Sequence, residues 1–190
     1  MRCLSCHRLS FQTFCVECRD RLLRPSIRKR RLDGFDVYSF FTYDEIEDFL
    51  LTKHTPQGYR VYRALGEQLF RPFIVEFMQK SAEGVYVLGI DEVVESGYSH
   101  VACLTHAMKY ANVKILHAQL IAQNCVKYAG KTRTYREENP RHFLYRGLQD
   151  IEVILVDDVI TTGSTLQEAQ RCLSLLNVKV LFALTLADAS

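Results

Sequence analysis

One stretch constrains the fold more than any other. Val153-Ile154-Leu155-Val156 runs directly into Asp157-Asp158-Val159-Ile160-Thr161-Thr162-Gly163-Ser164-Thr165-Leu166. Aliphatic and β-branched residues without polar alternation predict a strand covered on both faces, as in a parallel sheet. Gly163 permits a tight turn, and Ser164 and Thr165 open a helix expected to continue through Leu176. The free N–H groups of a helix start, joined by the hydroxyls of Thr161, Thr162, Ser164 and Thr165, make a cradle for a phosphate dianion. Asp157 and Asp158 are expected just beyond the strand, where ligands of open α/β sheets bind. Paired carboxylates beside such a cradle suit the 2′- and 3′-hydroxyls of a ribose and an Mg²⁺ ion. The plainer alternative is a strand-to-helix turn with a capping Asp pair. No Gly-Lys-Ser/Thr follows the glycine, which excludes a Walker A loop.

Four of the seven cysteines fall in the first eighteen residues, as Cys3-x2-Cys6 and Cys15-x2-Cys18. Two such knuckles close a tetrahedral Zn²⁺ site, structural because four thiolates leave no open position. So short a segment cannot bury a core, so the metal is expected to supply its folding energy. His7 reads as a solvated neighbour, and Cys103, Cys125 and Cys172 as small core residues. No apolar leader segment follows Met1-Arg2-Cys3 and no stretch is long enough to span a bilayer, so a cytoplasmic protein with reduced thiols is expected.

From Arg19 to Arg31 the chain is basic: Arg19, Arg21, Arg24, Arg28, Lys29, Arg30 and Arg31 stand against Asp20 alone. A solvated helix face or linker, a patch for nucleic-acid phosphates and one for an anionic membrane all fit this run. The net charge of +2 does not decide among them. Asp33-Gly34 marks a turn and the expected boundary, giving a zinc knuckle with a basic helix or linker over 1–34 and an α/β domain over 35–190. In that domain, strands are expected at Val37–Tyr43, Val85–Ile90, Val113–Leu116 and Val178–Leu186. Helices are expected through Leu51, from Gly58 past a kink at Pro72, and over Tyr98–Ala111. Strands alternating with helices imply a parallel sheet of βαβ units. The connection over residues 127–143 interleaves Lys127, Lys131, Arg133, Arg136 and Arg141 with Tyr128, Tyr135 and Phe143. It suits a lid over a pyrophosphate, a track for single-stranded nucleic acid, or a solvated loop.

The Asp157–Thr165 string resembles the binding motif of type I phosphoribosyltransferases, which grip phosphoribosyl pyrophosphate (PRPP). In that family the acids contact the ribose hydroxyls and the following loop holds the 5′-phosphate. Joined to the two knuckles, Lys53 and Arg136-x2-Asn139-x3-Phe143, the chain resembles the ComF family of competence proteins nearly end to end. The resemblance implies a type I phosphoribosyltransferase-like parallel sheet flanked by helices, with a small N-terminal zinc-binding element. It also implies a cytoplasmic natural-transformation factor, with peripheral association at the membrane's inner face, that binds single-stranded DNA and PRPP or ribose 5-phosphate. Its implied partners are a DNA-uptake helicase and other competence proteins, and its implied ions are structural Zn²⁺ and Mg²⁺ with PRPP. The candidate PRPP contacts are Asp157, Asp158, Thr161, Thr162, Gly163, Ser164 and Thr165; the candidate DNA contacts are Arg28, Lys29, Arg30, Arg31, Lys131, Arg133 and Arg136. Two alternatives remain: an active Mg²⁺-dependent phosphoribosyltransferase of nucleotide metabolism or salvage, and a PRPP-sensing regulator that binds duplex DNA. The chain departs from the family where a Pro-Val-Pro segment and an Arg-Gly-Phe-Asn stretch are usual. It has Gly89-Ile90-Asp91 and Ser96-Gly97-Tyr98-Ser99, and Asp91, Glu92 and Glu95 crowd a loop expected to meet pyrophosphate. Carboxylates there repel pyrophosphate unless Mg²⁺ intervenes, which favours ligand binding over catalysis.

Overall fold

The computed structural model describes residues 2–81, 83–91, 97–124 and 141–190. The expected lid, with Lys131, Arg133 and Arg136, falls outside the described residues apart from Arg141, His142 and Phe143; Cys125, Glu92, Glu95 and Ser96 also fall outside them. The fold is α/β, built on a six-stranded sheet in the order β1-β2-β8-β7-β3-β4. Its strands are β1 (Arg28–Leu32), β2 (Phe35–Thr42), β3 (Val85–Gly89), β4 (Val113–Leu116), β7 (Glu152–Ile160) and β8 (Lys179–Asp188). Strands β2, β8, β7, β3 and β4 run parallel, and β1 closes one edge antiparallel to β2. The central strand β7 is apolar on both faces because helices cover both, as its unalternating sequence requires. Among the described residues, no helix is long and apolar enough to cross a membrane.

Two differences from the sequence expectations concern the first half of the chain. Arg28–Leu32 forms a strand rather than a helix or linker, and Asp33-Gly34 is the turn of the β1–β2 hairpin. Its register places Lys29 and Arg31 near the Asp36 carboxylate at 2.9 Å each, a cross-strand pairing that charge counting along the chain cannot reveal. The second concerns the expected long helix, which is assembled from three pieces. Helix α3 (Pro56–Leu65) passes through a π-helical turn (Gly66–Phe70) into α4 (Arg71–Lys80). Pro56 and Pro72 both sit in first-turn positions, where a missing N–H costs nothing; the wider π turn lets the second helix start without a break.

Helix α1 (Val16–Leu22) belongs to the cysteine element. Helix α2 (Tyr43–Leu50) opens with a Thr42–Glu45 capping box. Helix α5 (His100–Ala107) is shorter than expected and is capped by Ser99, whose side chain accepts the Ala102 N–H at 3.0 Å. Helix α6 (Ser164–Ser174) follows β7. Strands β5 (Leu120–Ala122) and β6 (Phe143–Tyr145) form a separate antiparallel pair. The core has two layers. Val101 and Leu104 of α5 pack with Val87, Ile154 and Val156, whereas Leu166, Ala169 and Leu173 of α6 pack with Leu88, Val153 and Leu155. Neighbouring strands β3 and β7 therefore send their helices to opposite faces, which opens a crevice beyond their carboxyl ends.

A short 3-10 turn, Leu51–His54, presents Lys53 to this crevice and is held by close approach to α3. A Cβ at Gly58 would collide with the Thr52 carbonyl and the Tyr98 hydroxyl. That hydroxyl donates to the Lys53 carbonyl at 2.5 Å. Gly58→Ala is expected to lower stability by about 2 kcal/mol through overpacking, and urea unfolding with an unchanged m-value checks it.

Candidate functional site

Asp157 and Asp158 lie within β7 rather than beyond it, because the ladder with β8 continues to Ile160↔Asp188. Successive strand residues face opposite sides, so the two carboxylates separate. Asp158 is on the α5 side, buried, with Oδ2 at 3.1 Å from Lys53 Nζ and 3.3 Å from His100 Nε2. Its Oδ1 accepts the Val159 N–H at 2.8 Å. Burial opposes ionisation of this carboxyl. The hydrogen bond and charge of His100, with Lys53, outweigh burial and hold Asp158 well below the usual carboxylate range. Asp157 is half-buried on the α6 side and accepts the Asp158 N–H at 2.8 Å.

Tyr62 closes the crevice floor with its ring 5.4 Å from that of His100. Burial and then the Asp158 charge push its phenol far above the ordinary value, so it is a neutral donor. Its hydroxyl is buried without a hydrogen-bond partner among the described residues. Lys53 belonged to the family resemblance, whereas His100 and Tyr62 carried no sequence signal: each lies on the apolar stripe of a helix, which reads as plain core.

Asp91, at the end of β3, turns inward. Its carboxylate accepts Ser99 Oγ at 2.8 Å and the Ala118 N–H at 3.1 Å. Burial, partly offset by these donors, raises its pKa. It therefore ties a loop together instead of crowding the crevice, contrary to the sequence expectation.

The loop after β7 is built as expected for a tight strand-to-helix turn. Gly163 has φ 83°, a left-handed conformation that favours glycine. A Cβ there would lie 2.8 Å from Leu32 Cδ2, so β1 packs directly beneath the loop. Thr162 Oγ1 accepts the Ser164 N–H at 3.3 Å and lies 3.0 Å from Ser164 Oγ. Arg30 donates to the Thr161 carbonyl at 2.6 Å and to Asp188 Oδ1 at 2.9 Å, buttressing the loop from behind. Glu168 of α6 accepts the Arg141 and His142 N–H groups at 3.0 and 2.8 Å, anchoring β6 to the same helix. Of the basic run, Arg30 is therefore structural, while Arg31 and then Lys29 hold Asp36 below the usual carboxylate range. Arg28 remains exposed on the edge strand.

The sulfur atoms of Cys3, Cys6, Cys15 and Cys18 all lie within 4.8 Å of one another, as a tetrahedral metal site requires. Cys3 is buried, which disfavours its thiolate, yet hydrogen bonds from Cys6, Cys15 and Ser5 carry its pKa down to about 6. Cys18 is pushed up to about 11: a Ser5 hydrogen bond favours its thiolate, but burial and the three neighbouring thiols prevail. Four sulfurs so close cannot all ionise without a cation, and a Zn²⁺ ion fits this donor set. His7 is exposed and outside the cluster. The element is not free-standing, because Cys3, Phe14 and Cys18 join the main core and the Phe14 ring lies 5.0 Å from Phe49.

Two measurements follow from this geometry. His100→Ala leaves Asp158 short of a partner and is expected to cost ~3 kcal/mol. Because the folded-state pKa of Asp158 is depressed, its contribution is present above the unfolded value of about 3.9 and lost as pH falls toward the folded value. Urea midpoints of the wild type should therefore drop more steeply below about pH 4 than those of Asp158→Asn. Separately, elemental analysis should find about one zinc per chain and almost none in Cys15→Ser. Chelation should increase amide exchange around Phe14 while β7 and β8 stay protected.

No family model matches the chain, and no curated protein matches it. Among solved structures it is similar to adenine phosphoribosyltransferase from Saccharomyces cerevisiae, at 15% identity over 91% of this chain and 89% of that chain, TM-score 0.45. It is similar to orotate phosphoribosyltransferase from Mycobacterium tuberculosis H37Rv, at 17% identity over 90% of this chain and 82% of that chain, TM-score 0.42. Hypoxanthine phosphoribosyltransferase from Staphylococcus aureus matches at 13% identity over 67% of this chain and 62% of that chain, TM-score 0.41.

Proposed function

We propose that the crevice between the ends of β3 and β7 binds the ribose 5-phosphate portion of PRPP, and that the protein uses this ligand while handling single-stranded DNA during natural transformation. The observation that carries the reading is the pairing of two features at the end of β7. One is an ionised carboxylate, Asp158, held on Lys53 and His100. The other is a glycine-shaped turn, Thr161–Thr165, leading into an eleven-residue helix. The helix start and the hydroxyls of Thr161, Thr162, Ser164 and Thr165 take the phosphate. Asp157 would take a ribose hydroxyl or help hold an Mg²⁺ ion, which would offset the charge of the pyrophosphate. Lys53 sits close enough to Asp158 that a second anion entering the crevice finds a cation already in place.

The DNA half of the reading rests on the resemblance of the knuckle pair and the Thr-Thr-Gly-Ser-Thr loop to competence proteins. In this role the chain works at the cytoplasmic side of the membrane with a DNA-uptake helicase. Zn²⁺ on the four cysteines is structural: it holds residues 3–18 in place and takes no part in ligand chemistry.

Calorimetric titration of PRPP with Mg²⁺ tests the reading. The wild type is expected to bind, and Asp157→Asn and Thr165→Val each to bind at least about tenfold more weakly, the loss expected for one hydrogen bond to a charged group. Incubation with purine and pyrimidine bases is expected to release no pyrophosphate. Base-dependent release would replace this reading with a working transferase, and no binding by the folded wild type would overturn the ligand site altogether.

A further inference from the structure

A groove of about 330 Å³ lies away from the crevice, between the cysteine element and helix α3 with the π turn that follows it. On one side it is lined by Phe11 and Arg19, and on the other by Tyr59, Arg60, Arg63 and Glu67. Three guanidinium groups and one carboxylate thus line it; Arg19 Nε lies 3.3 Å from Asp20 Oδ1, and Glu67 has Arg71 3.9 Å away on the same helix. Two aromatic rings stand open beside those charges. Phe11 is 101% exposed and Tyr59 is 43% exposed. Arg63 lies over the Tyr59 ring at 5.8 Å, and Tyr98 packs edge-on to it at 5.7 Å. The Tyr59 ring is therefore held in place before any ligand arrives, which lowers the entropy lost on stacking.

From this geometry we infer that the groove is the seat of a single strand of nucleic acid, with phosphates on Arg19, Arg60 and Arg63 and bases stacked on Phe11 and Tyr59. Unpaired bases offer π faces to the rings while their backbone offers anions to the guanidiniums. An acidic peptide uses the charges and leaves the rings bare, and a duplex keeps its base faces stacked inside. Beside this groove the cysteine element is tied to the main core, the Phe14 ring lying 5.0 Å from that of Phe49. This assignment rests on the single-strand half of the proposed function.

Fluorescence anisotropy of labelled dT20 with the full chain, across a salt series, tests it. Arg60→Glu/Arg63→Glu is expected to weaken binding more than about tenfold and to flatten the salt slope by roughly 0.7 per lost phosphate contact. Phe11→Ala, at a fully exposed position, is expected to weaken binding about fivefold with the salt slope unchanged. A charge-matched control, Lys80→Glu/Lys179→Glu, is expected to change affinity less than about twofold, as for surface charges outside the contact. Circular dichroism confirms that each variant folds. If the wild type binds dT20 and the groove variants behave like the control, the groove is not the seat, although the DNA reading stands. Absence of dT20 binding by the wild type removes both. If a poly-glutamate peptide displaces dT20 and Phe11→Ala has no effect, the surface is one for acidic peptides and the inference falls.

Discussion

A carboxylate inside a sheet is the constraint on which the rest of this structure depends. Asp158 is in the central strand, buried, and ionised only because Lys53 and His100 reach it. A buried charge left without partners costs several kcal/mol, so two separate segments must be placed to satisfy it. The 3-10 turn carrying Lys53 is located by the contact of Gly58 with Thr52 and by the Tyr98 hydroxyl. Helix α5, which carries His100, is started by the Ser99 cap. Ser99 in turn donates to Asp91 at the end of β3. One electrostatic requirement thus ties β7, β3, α5 and the turn before α3 into a single crevice wall.

The opposite wall depends on contacts made by the N-terminal third. Strand β1 supplies Leu32 beneath Gly163 and Arg30 behind Thr161, so the loop after β7 is supported by residues about 130 positions earlier. The cysteine element enters the main core through Phe14 and Cys18. Neither piece is an appendage in the physical sense. Disruption of the cysteine cluster would remove core contacts as well as local order, and loss of β1 would leave the loop after β7 without its floor.

Much of the architecture was readable from local patterns. The unalternating run at Val153–Val156 predicts a doubly covered strand, and Gly163 followed by Ser164 predicts a turn into a helix. The doubled Cys-x2-Cys spacing predicts four converging sulfurs. These signals are legible because each depends on residues close together in the chain. The strand character of Arg28–Leu32 was not legible, since a charged edge strand has no hydrophobic period. It is stable only because it pairs with β2 and its cations find Asp36 and Asp188. The π turn before Pro72 was hidden for a similar reason, its place being set by packing of Gly66 against Ala107 and Cys103.

The candidate site shows the same division between near and far. Sequence by itself determined which residue types stand at the end of β7, because strand, acids, glycine and hydroxyls are contiguous there. Tertiary structure decided what those residues do to one another. It separated Asp157 from Asp158 across the sheet, brought His100 and Tyr62 to the crevice, turned Asp91 inward, and set Phe11 and Tyr59 along one groove with Arg19, Arg60 and Arg63. The physical reason is range. Backbone geometry and turn chemistry act over a few residues, whereas the charge balance of a buried carboxylate is settled by whichever distant side chains the packed fold delivers to it.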